Sequence, residues 1–300
     1  MAVSEAKALR NKLNIAPYLF IFPALAFTTI FIAYPLIENI WLSLFDWSAI
    51  DPVKKFIGLK NYVELFGDPI FWKSILNNFY YLIVSTIVQV IFGLVLAVIV
   101  ESRIQFAKTF RAIFIIPLVI SLVAVGLLWT FIYNPIYGPL NQLLSAVGLG
   151  GWAHGWLGET KTAIWAVIAV SCWQYSSFCM LLFVAGLQAL PDDVYESAKI
   201  DGANGWQSFC HITVPLLREV IIATCIITMI GSFKVFDIVY VMTGGGPSHA
   251  SEVATTYMYL MGFSNDRMGY ASSIATTLIG ITLMWTILQL KLFKSGADAN

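Results

Sequence analysis

Charged side chains are scarce in this 300-residue chain. Lys, Arg, Asp and Glu together make up 11% of it, whereas apolar residues make up 59% and the mean hydropathy is +0.79. Soluble globular domains carry about 25% charged residues, so the composition excludes that class and predicts an integral membrane protein. Positive and negative charges balance to zero, which argues against a nucleic-acid partner.

Cysteine and histidine are also few, and neither type is grouped. The cysteines lie in or beside apolar runs without a CxxC pair, which predicts small buried hydrophobic residues and no disulfide or metal site. They are Cys172, Cys179, Cys210 and Cys225. The histidines are far apart, so no metal site is expected from them either. They are His154, His211 and His249.

The sequence lacks any set of residues typical of an enzyme active site. The nearest approach to a phosphate-binding loop, residues 155–162, has Thr160 where a glycine should precede Lys161. Such a turn needs bare backbone amides to hold phosphate, so nucleotide binding by this loop is excluded. No nucleophile is paired with a base. We therefore expect a chain that is not an enzyme and holds no cofactor.

Six long apolar runs dominate the chain, and each exceeds the roughly 20 residues that a helix needs to cross a bilayer. The runs cover about residues 15–45, 72–101, 107–133, 160–188, 216–242 and 269–292. Because they are continuous, a barrel of short alternating strands is excluded. The sequence predicts an all-α membrane protein with six transmembrane helices in one domain, residues 15–293. Short cytoplasmic segments are expected at 1–14 and 294–300.

The first apolar run follows a basic start, which is also the pattern of a cleaved signal peptide. It is too long for one and has no clear small-x-small cleavage site, so a retained span is expected. The basic residues Lys7, Arg10 and Lys12 precede it, and the long loop at 134–159 has no Lys or Arg. The positive-inside rule then places both termini and residues 190–215 in the cytoplasm.

A polar stretch between the fourth and fifth runs, residues 190–217, has the pattern helix, break, helix. Pro191 suits a first helical turn, Asp192 and Asp193 suit a helix N-terminus, and Gly202 suits a helix end. The pattern predicts a compact helical segment outside the bilayer, held by membrane helices on both sides. We call residues 190–217 the knuckle.

The knuckle closely resembles the coupling loop of bacterial ABC importer permeases. The residues that carry the resemblance are Glu196, Ser197, Ala198, Asp201, Gly202, Ala203, Phe209, Ile212 and Pro215. Ser197 stands where the family usually has alanine. The resemblance implies that this helix seats in a cleft of a separate ATPase subunit, with residues 196–198 and 201–203 carrying the coupling. The alternative is an ordinary polar cytoplasmic loop.

Further stretches are similar to carbohydrate permeases of the maltose and glycerol-3-phosphate importer type. They are FIGLKNY at 56–62, FRAIFIIP at 110–117, Trp129, GPLN at 138–141, Phe236, Asp237 and TGGGP at 243–247. The resemblance implies a type I ABC importer permease in the inner membrane of a prokaryote. It also implies a second permease subunit, usually a distinct protein, two ATPase copies that bind ATP and Mg, a solute-binding protein outside, and a carbohydrate substrate.

Near the middle of the fourth apolar run, Ser171, Gln174, Tyr175 and Phe178 follow i, i+3, i+4, i+7 spacing and share one helix face. Polar groups at bilayer depth are costly unless they face a partner or a wet cavity. Hydroxyl and amide groups beside aromatic rings suit a sugar, which offers both hydroxyls and CH faces. The stripe is a candidate substrate contact, or else it bonds a neighbouring helix.

On the fifth run, Thr228 and Ser232 lie one turn apart at similar depth. The resemblance implies that substrate binds between the facing sides of the fourth and fifth helices, which makes both hydroxyls candidates. The alternative is that each bonds its own preceding carbonyl. On the second run, Gln89 with Ser85 either lines the same path or joins helices.

Lys234 and Asp237 are spaced i, i+3 near the outer end of the fifth run, where an internal ion pair is expected. An outer gate or contact with an anionic substrate is the alternative. A secondary transporter with Lys234, Asp237 and Glu38 as relay groups is a second functional hypothesis. The sequence shows no internal repeat to support it.

Overall fold

The computed structural model describes residues 16–102 and 106–297, and the predicted segment 1–14 lies outside them. The described elements begin with α1 (Ala16–Thr28), a π-helical turn (Thr29–Ala33), α2 (Tyr34–Leu42), β1 (Phe45–Asp46), β2 (Lys55–Phe56), α3 (Lys60–Gly67), α4 (Pro69–Glu101), α5 (Ala107–Val119), α6 (Leu122–Ile132) and α7 (Pro139–Ala146). A 3-10 turn (Gly150–Trp152), α8 (Ala163–Gln188), α9 (Asp192–Ile200), α10 (Gly205–Ser208), a π-helical turn (Phe209–Thr213), α11 (Val214–Leu216), α12 (Arg218–Phe233), α13 (Asp237–Thr243), α14 (Ala254–Tyr259), a π-helical turn (Leu260–Ser264) and α15 (Met268–Ala297) follow. The predicted all-α class is confirmed, apart from a small antiparallel pair of two-residue strands.

The centre of the bundle is the pair α4 and α8, which pack along each other. Gly93 makes this possible, because a Cβ added there would lie 2.4 Å from Cβ of Cys179 on α8. Small residues let membrane helices approach closely and gain van der Waals contact. Met180 and Phe183 on α8 are fully buried in the same contact region. The helix α12 packs beside this pair.

The helices alternate in direction between two ends of the bundle. At one end Gln188 donates to Glu101 at 3.1 Å, so α4 and α8 both finish where the knuckle lies. At the other end Asp68, just before α4, accepts a hydrogen bond of 2.7 Å from Tyr270 near the start of α15. Asn39 on α2 donates to Thr276 on α15 at 3.1 Å, so α1 begins, and α15 ends, on the knuckle side.

The prediction of one continuous helix over residues 107–133 is wrong. The run forms α5 and α6, which meet at an angle of 97°. Pro117 lacks a backbone N–H and weakens the end of α5, and Ile120 is extended. Ser121 then caps α6 by accepting from the N–H of Ala124 at 3.3 Å. The bend thus has a proline on one side and a new helix start on the other.

The fifth run is also broken where one helix over 216–242 was predicted, because a break at 234–236 separates α12 from α13. At the predicted boundary between the knuckle and this run, the helical stretch 205–216 meets α12 at 67°, with the turn at Leu217. At 16 residues, α12 is about 24 Å long and needs a continuation to cross a 30 Å core.

Four described helical stretches are long and apolar enough to cross a membrane unaided: 17–42, 69–101, 163–188 and 268–291. Counting each of the two bent helix pairs as one span brings the total in the described part of the chain to at most six, by length and composition. The first pass buries none of its most apolar window against the rest of the chain. Its apolar surface therefore faces lipid or another subunit.

Candidate functional site

A cavity of about 330 Å³ lies between α4, α8 and α12, at the break that ends α12. Both hydroxyl-bearing and aromatic side chains line it. The main lining residues are Tyr81, Gln89, Leu122, Ser171, Tyr175, Phe178, Thr228, Gly231, Ser232, Lys234, Phe236 and Asp237. The wall thus combines hydrogen-bonding groups with ring faces at the depth of the membrane-spanning helices.

The structure brings together five of the six predicted substrate-contact residues at this cavity. Ser171, Tyr175 and Phe178 face it from α8, and Thr228 and Ser232 face it from α12. Their spacing puts each set on one face of its helix, as the sequence indicated. Substrate contact by these residues stays a prediction.

The sixth residue, Gln174, lies elsewhere. Its amide donates to the carbonyl of Ile120 at 3.2 Å, in the gap between α5 and α6. That gap frees a backbone carbonyl inside the bundle, and Gln174 satisfies it. The helix-joining alternative therefore describes Gln174, which sits at the edge of the predicted face and turns away from the cavity.

The hydroxyls of α12 also make the local bonds that were expected as their alternative. Thr228 donates to the carbonyl of Thr224 at 3.0 Å, and Ser232 donates to that of Thr228 at 2.9 Å. Ser232 also lies 3.0 Å from the hydroxyl of Ser85 on α4. Each hydroxyl oxygen keeps acceptor capacity beyond these bonds.

The expected ion pair between Lys234 and Asp237 is absent among the described residues. Lys234 is the C-cap residue of α12, and Asp237 is the first residue of α13, so the two do not share a helix. Both are exposed and both line the cavity at the break. The charges therefore mark the cavity rim, and Asp237 also suits the positive end of α13.

Two lining residues, Tyr81 and Phe236, were not among the predicted contacts. Tyr81 faces the cavity from α4 beside Gln89, for which the sequence left open whether it lines the path or joins helices. Phe236 lies at the rim and stacks on Tyr240 with ring centres 5.2 Å apart, and both rings touch Tyr259. The i, i+4, i+8 spacing of polar residues at 81, 85 and 89 was the available signal for the α4 wall.

The knuckle has the predicted helix, break, helix form. Acidic residues start α9 and Lys199 lies in its last turn, as the helix dipole favours. Gly202 follows with φ of +82°, a conformation that other residues adopt at a cost. Asn204 and Gln207 then form a reciprocal capping box at the start of α10.

The predicted coupling residues divide by exposure. Glu196, Ser197, Asp201 and Gly202 are exposed, and Ala203 is half-buried. Ala198 is buried at 8% exposure, so it packs inside the knuckle. Two apolar residues not singled out from the sequence, Ile200 at 86% and Trp206 at 73%, project from the same segment. Large exposed apolar and aromatic side chains are typical of a protein-binding surface.

The far end of the bundle is tied together by polar contacts. Asn77 on α4 donates to the carbonyl of Glu252 at 2.8 Å and so holds the loop before α14. Burial acts to raise the pKa of Asp68, but hydrogen bonds from Tyr257, Tyr270 and the Ile70 amide outweigh it and lower the pKa. The carboxylate is thus stabilised in its ionised form.

No group of three His, Cys, Asp or Glu residues in the described part of the chain could hold a metal ion.

Known proteins are similar to this chain in sequence and in fold. Residues 89–292 match the family "Binding-protein-dependent transport system inner membrane component". The Bacillus subtilis "Probable ABC transporter permease protein YurN" is 46% identical over 290 residues, covering 96% of this chain and 99% of that one. The Thermococcus litoralis "Trehalose/maltose transport system permease protein MalF" is 36% identical, covering 94% of each.

A solved structure has the same fold. A chain of a bacterial ABC transporter involved in the import of the acidic polysaccharide alginate superposes with a TM-score of 0.83, covering 95% of this chain and 96% of that one. At 22% sequence identity, this likeness concerns the fold.

Proposed function

The chain belongs to the family of binding-protein-dependent transport system inner membrane components, and from this premise we propose that it passes a carbohydrate across the membrane in an ATP-driven importer. The transport role is that of a permease subunit. The carbohydrate class is supported by the mixed aromatic and hydroxyl-lined cavity and by the trehalose/maltose permease among the relatives. A sugar fits such a wall because its hydroxyls can hydrogen-bond to the polar side chains and its apolar CH faces can pack on the aromatic rings.

One observation carries the mechanism. The two helices that supply most of the cavity wall, α8 and α12, continue directly into the two ends of the knuckle. A displacement of the knuckle is therefore transmitted along both helices to the cavity. Packed helices respond to such a push by shifting between discrete arrangements, which suits alternating access.

The proposed assembly contains partners with defined sides. The knuckle, with both chain termini, would face the cytoplasm and seat in an ATPase subunit, and ATP and Mg would bind only there. Two ATPase copies and a second permease chain, expected to be a different protein, would complete the pathway. The solute-binding protein would dock at the opposite end, which carries the loops at 134–162 and 244–253.

Uptake into proteoliposomes tests this proposal. The chain is reconstituted with its second permease, ATPase and loaded solute-binding protein, and tritiated trehalose, maltose and lactose are offered as probes. We expect uptake of at least one probe with ATP on the knuckle side and none with a proton or sodium gradient alone. Uptake driven by the gradient without ATP would instead support a secondary transporter, and uptake of no saccharide would refute the carbohydrate class.

A further inference from the structure

We infer that α4 supplies a third, substrate-recognising wall, in which the Tyr81 hydroxyl and the Gln89 carboxamide hydrogen-bond the sugar during its passage. The inference rests on the proposed function and names residues that neither the sequence stripe on α8 nor the pair on α12 includes. It assigns recognition to a helix on which Asn77, Asn78 and Ser85 contact neighbouring parts of the bundle.

Tyr81 is 3% exposed, lines the cavity and has a buried hydroxyl without a hydrogen-bond partner among the described residues. Ser171 is a neighbour across the cavity, but the two hydroxyls do not meet hydrogen-bond geometry. A tyrosine hydroxyl normally finds a partner when it is buried. Tyr81 and Ser171 thus flank a position from which a solute hydroxyl could bond to both.

Gln89 is 5% exposed and also lines the cavity. Its carboxamide has no hydrogen bond within the described part of the chain. Ser85, one turn away on the same helix, is different, because its hydroxyl donates to the carbonyl of Tyr81 and pairs with Ser232. The question left open by the sequence is therefore answered separately for each residue: Ser85 joins helices and Gln89 faces the path.

The buried, unpaired hydroxyl of Tyr81 is costly to keep inside a membrane-spanning bundle, because it loses a hydrogen bond that water would provide. Its placement on the cavity wall, with the carboxamide of Gln89 on the same helix, gives that cost a functional reason. The two residues are eight positions apart, which is about 12 Å along a helix. That separation is longer than one sugar ring, so the α4 wall fits a solute of two or more rings.

The test uses the assembled importer and two single variants, Y81F and Q89L. The matched control is Y133F, because Tyr133 is also buried but its hydroxyl donates to the carbonyl of Ala166 at 3.3 Å, away from the cavity. Y81F removes no bond of the fold and should leave the melting temperature of the purified chain unchanged, whereas Y133F should lower it. Uptake of tritiated trehalose, maltose or lactose should show a KM about fivefold higher in Y81F and in Q89L.

Tritiated glucose is the comparison probe, and it should be taken up poorly by the wild type. Unchanged KM values in both variants, with normal uptake by the wild type, would overturn the inference and leave the proposed function standing. A melting temperature lowered as much in Y81F as in Y133F would also overturn it, because the hydroxyl would then have a partner in the fold. Absence of saccharide uptake by the wild type would count against the proposed function itself.

Discussion

Gly231 leaves a gap in the cavity wall. A Cβ added there would meet no atom within 4 Å, although the position lies between Thr228 and Ser232 on the lined face of α12. A side chain at this position therefore projects into the cavity without disturbing the packing. The residue controls how much room the cavity has.

Replacing Gly231 with leucine should block the path and preserve the fold. Because one surplus methylene in a fitted pocket already costs a factor of about 10 or more, we expect saccharide uptake to fall by roughly that factor or further. G231A should give an intermediate rate. Uptake in proteoliposomes measures both, and full activity of G231L would show that solute does not pass this point.

Asp68 makes stability depend on pH at the opposite end of the bundle from the knuckle. The pKa of Asp68 in the fold is below the ordinary value of 3.8. The ionised carboxylate therefore contributes its full stabilisation above pH 3.8, and this contribution is lost as the pH falls through the lowered pKa. D68N should lower the melting temperature at pH 7, and its deficit relative to wild type should shrink as the pH falls below about 4.

The control for Asp68 is E64Q. Glu64 pairs with Arg267 at 2.7 Å, but both side chains are more than 40% exposed, and such surface pairs contribute little. Thermal melts of the purified chain between pH 3 and pH 7 measure the two variants. An equal effect of E64Q and D68N would show that the buried tyrosine bonds to Asp68 do not matter.

Helical spacing was sufficient to predict several cavity residues and insufficient for others. Ser171, Tyr175 and Phe178 share a face that follows from their positions alone. Gln174 has nearly the same angular position, but it turned to the free carbonyl of Ile120, which exists only because the neighbouring run bends. The spacing of Tyr81 with residues 85 and 89 placed it on one face, but a tyrosine in an apolar run does not reveal whether its hydroxyl has a partner, so Tyr81 was missed.

The contact between α4 and α8 is the element on which the bundle depends. Replacing Gly93 with leucine should force these helices apart, since even a Cβ there would lie 2.4 Å from Cβ of Cys179. Overpacking of this kind costs about 1–3 kcal/mol or more. The control is G280L on α15, where an added Cβ meets nothing within 4 Å. Thermal unfolding in detergent compares the two, and equal stability would contradict the packing described.

The knuckle offers a test of partner binding that needs no substrate. Trp206 should act as an apolar anchor in the ATPase cleft, because buried tryptophans at interfaces commonly contribute 2 kcal/mol or more. W206A should weaken association with the ATPase subunit about 30-fold. The control W152A removes an equally exposed tryptophan, 69% exposed, from the loop at the other end. Co-purification measures both, and equal loss in the two would exclude a specific role for the knuckle.

The elements themselves were predictable to different degrees. Continuous apolar runs identified the four unbroken candidate spans and the regions of the two bent ones, since a helix is the structure that satisfies its backbone inside a bilayer. The turn at 217 lies at the predicted end of the knuckle, two residues after Pro215, but the breaks at 120–121 and 234–236 were not predicted. Pro117 precedes the first of these, whereas the second has no proline or glycine at the break and depends on how neighbouring helices pack.

At the scale of the whole molecule, the chain connects two surfaces that lie at opposite ends. The knuckle lies where α4 and α8 finish, and the break after α12 opens the cavity towards the other end. Helices α8 and α12 join these two surfaces, so binding energy at the knuckle would shift the population of cavity conformations. A chain that only sealed the membrane around a partner would not need helices that connect the knuckle with the cavity.

The most direct measurement of that claim is the side from which the cavity can be reached. In a chain whose four cysteines are replaced by alanine, G231C places one thiol in the open space beside α12. A membrane-impermeant maleimide is added to either face of sealed vesicles that contain the assembled importer, with or without a non-hydrolysable ATP analogue. Alternating access predicts labelling from the knuckle side without nucleotide and from the opposite side with it. Labelling from one side alone, unaffected by nucleotide, would contradict alternating access at this cavity.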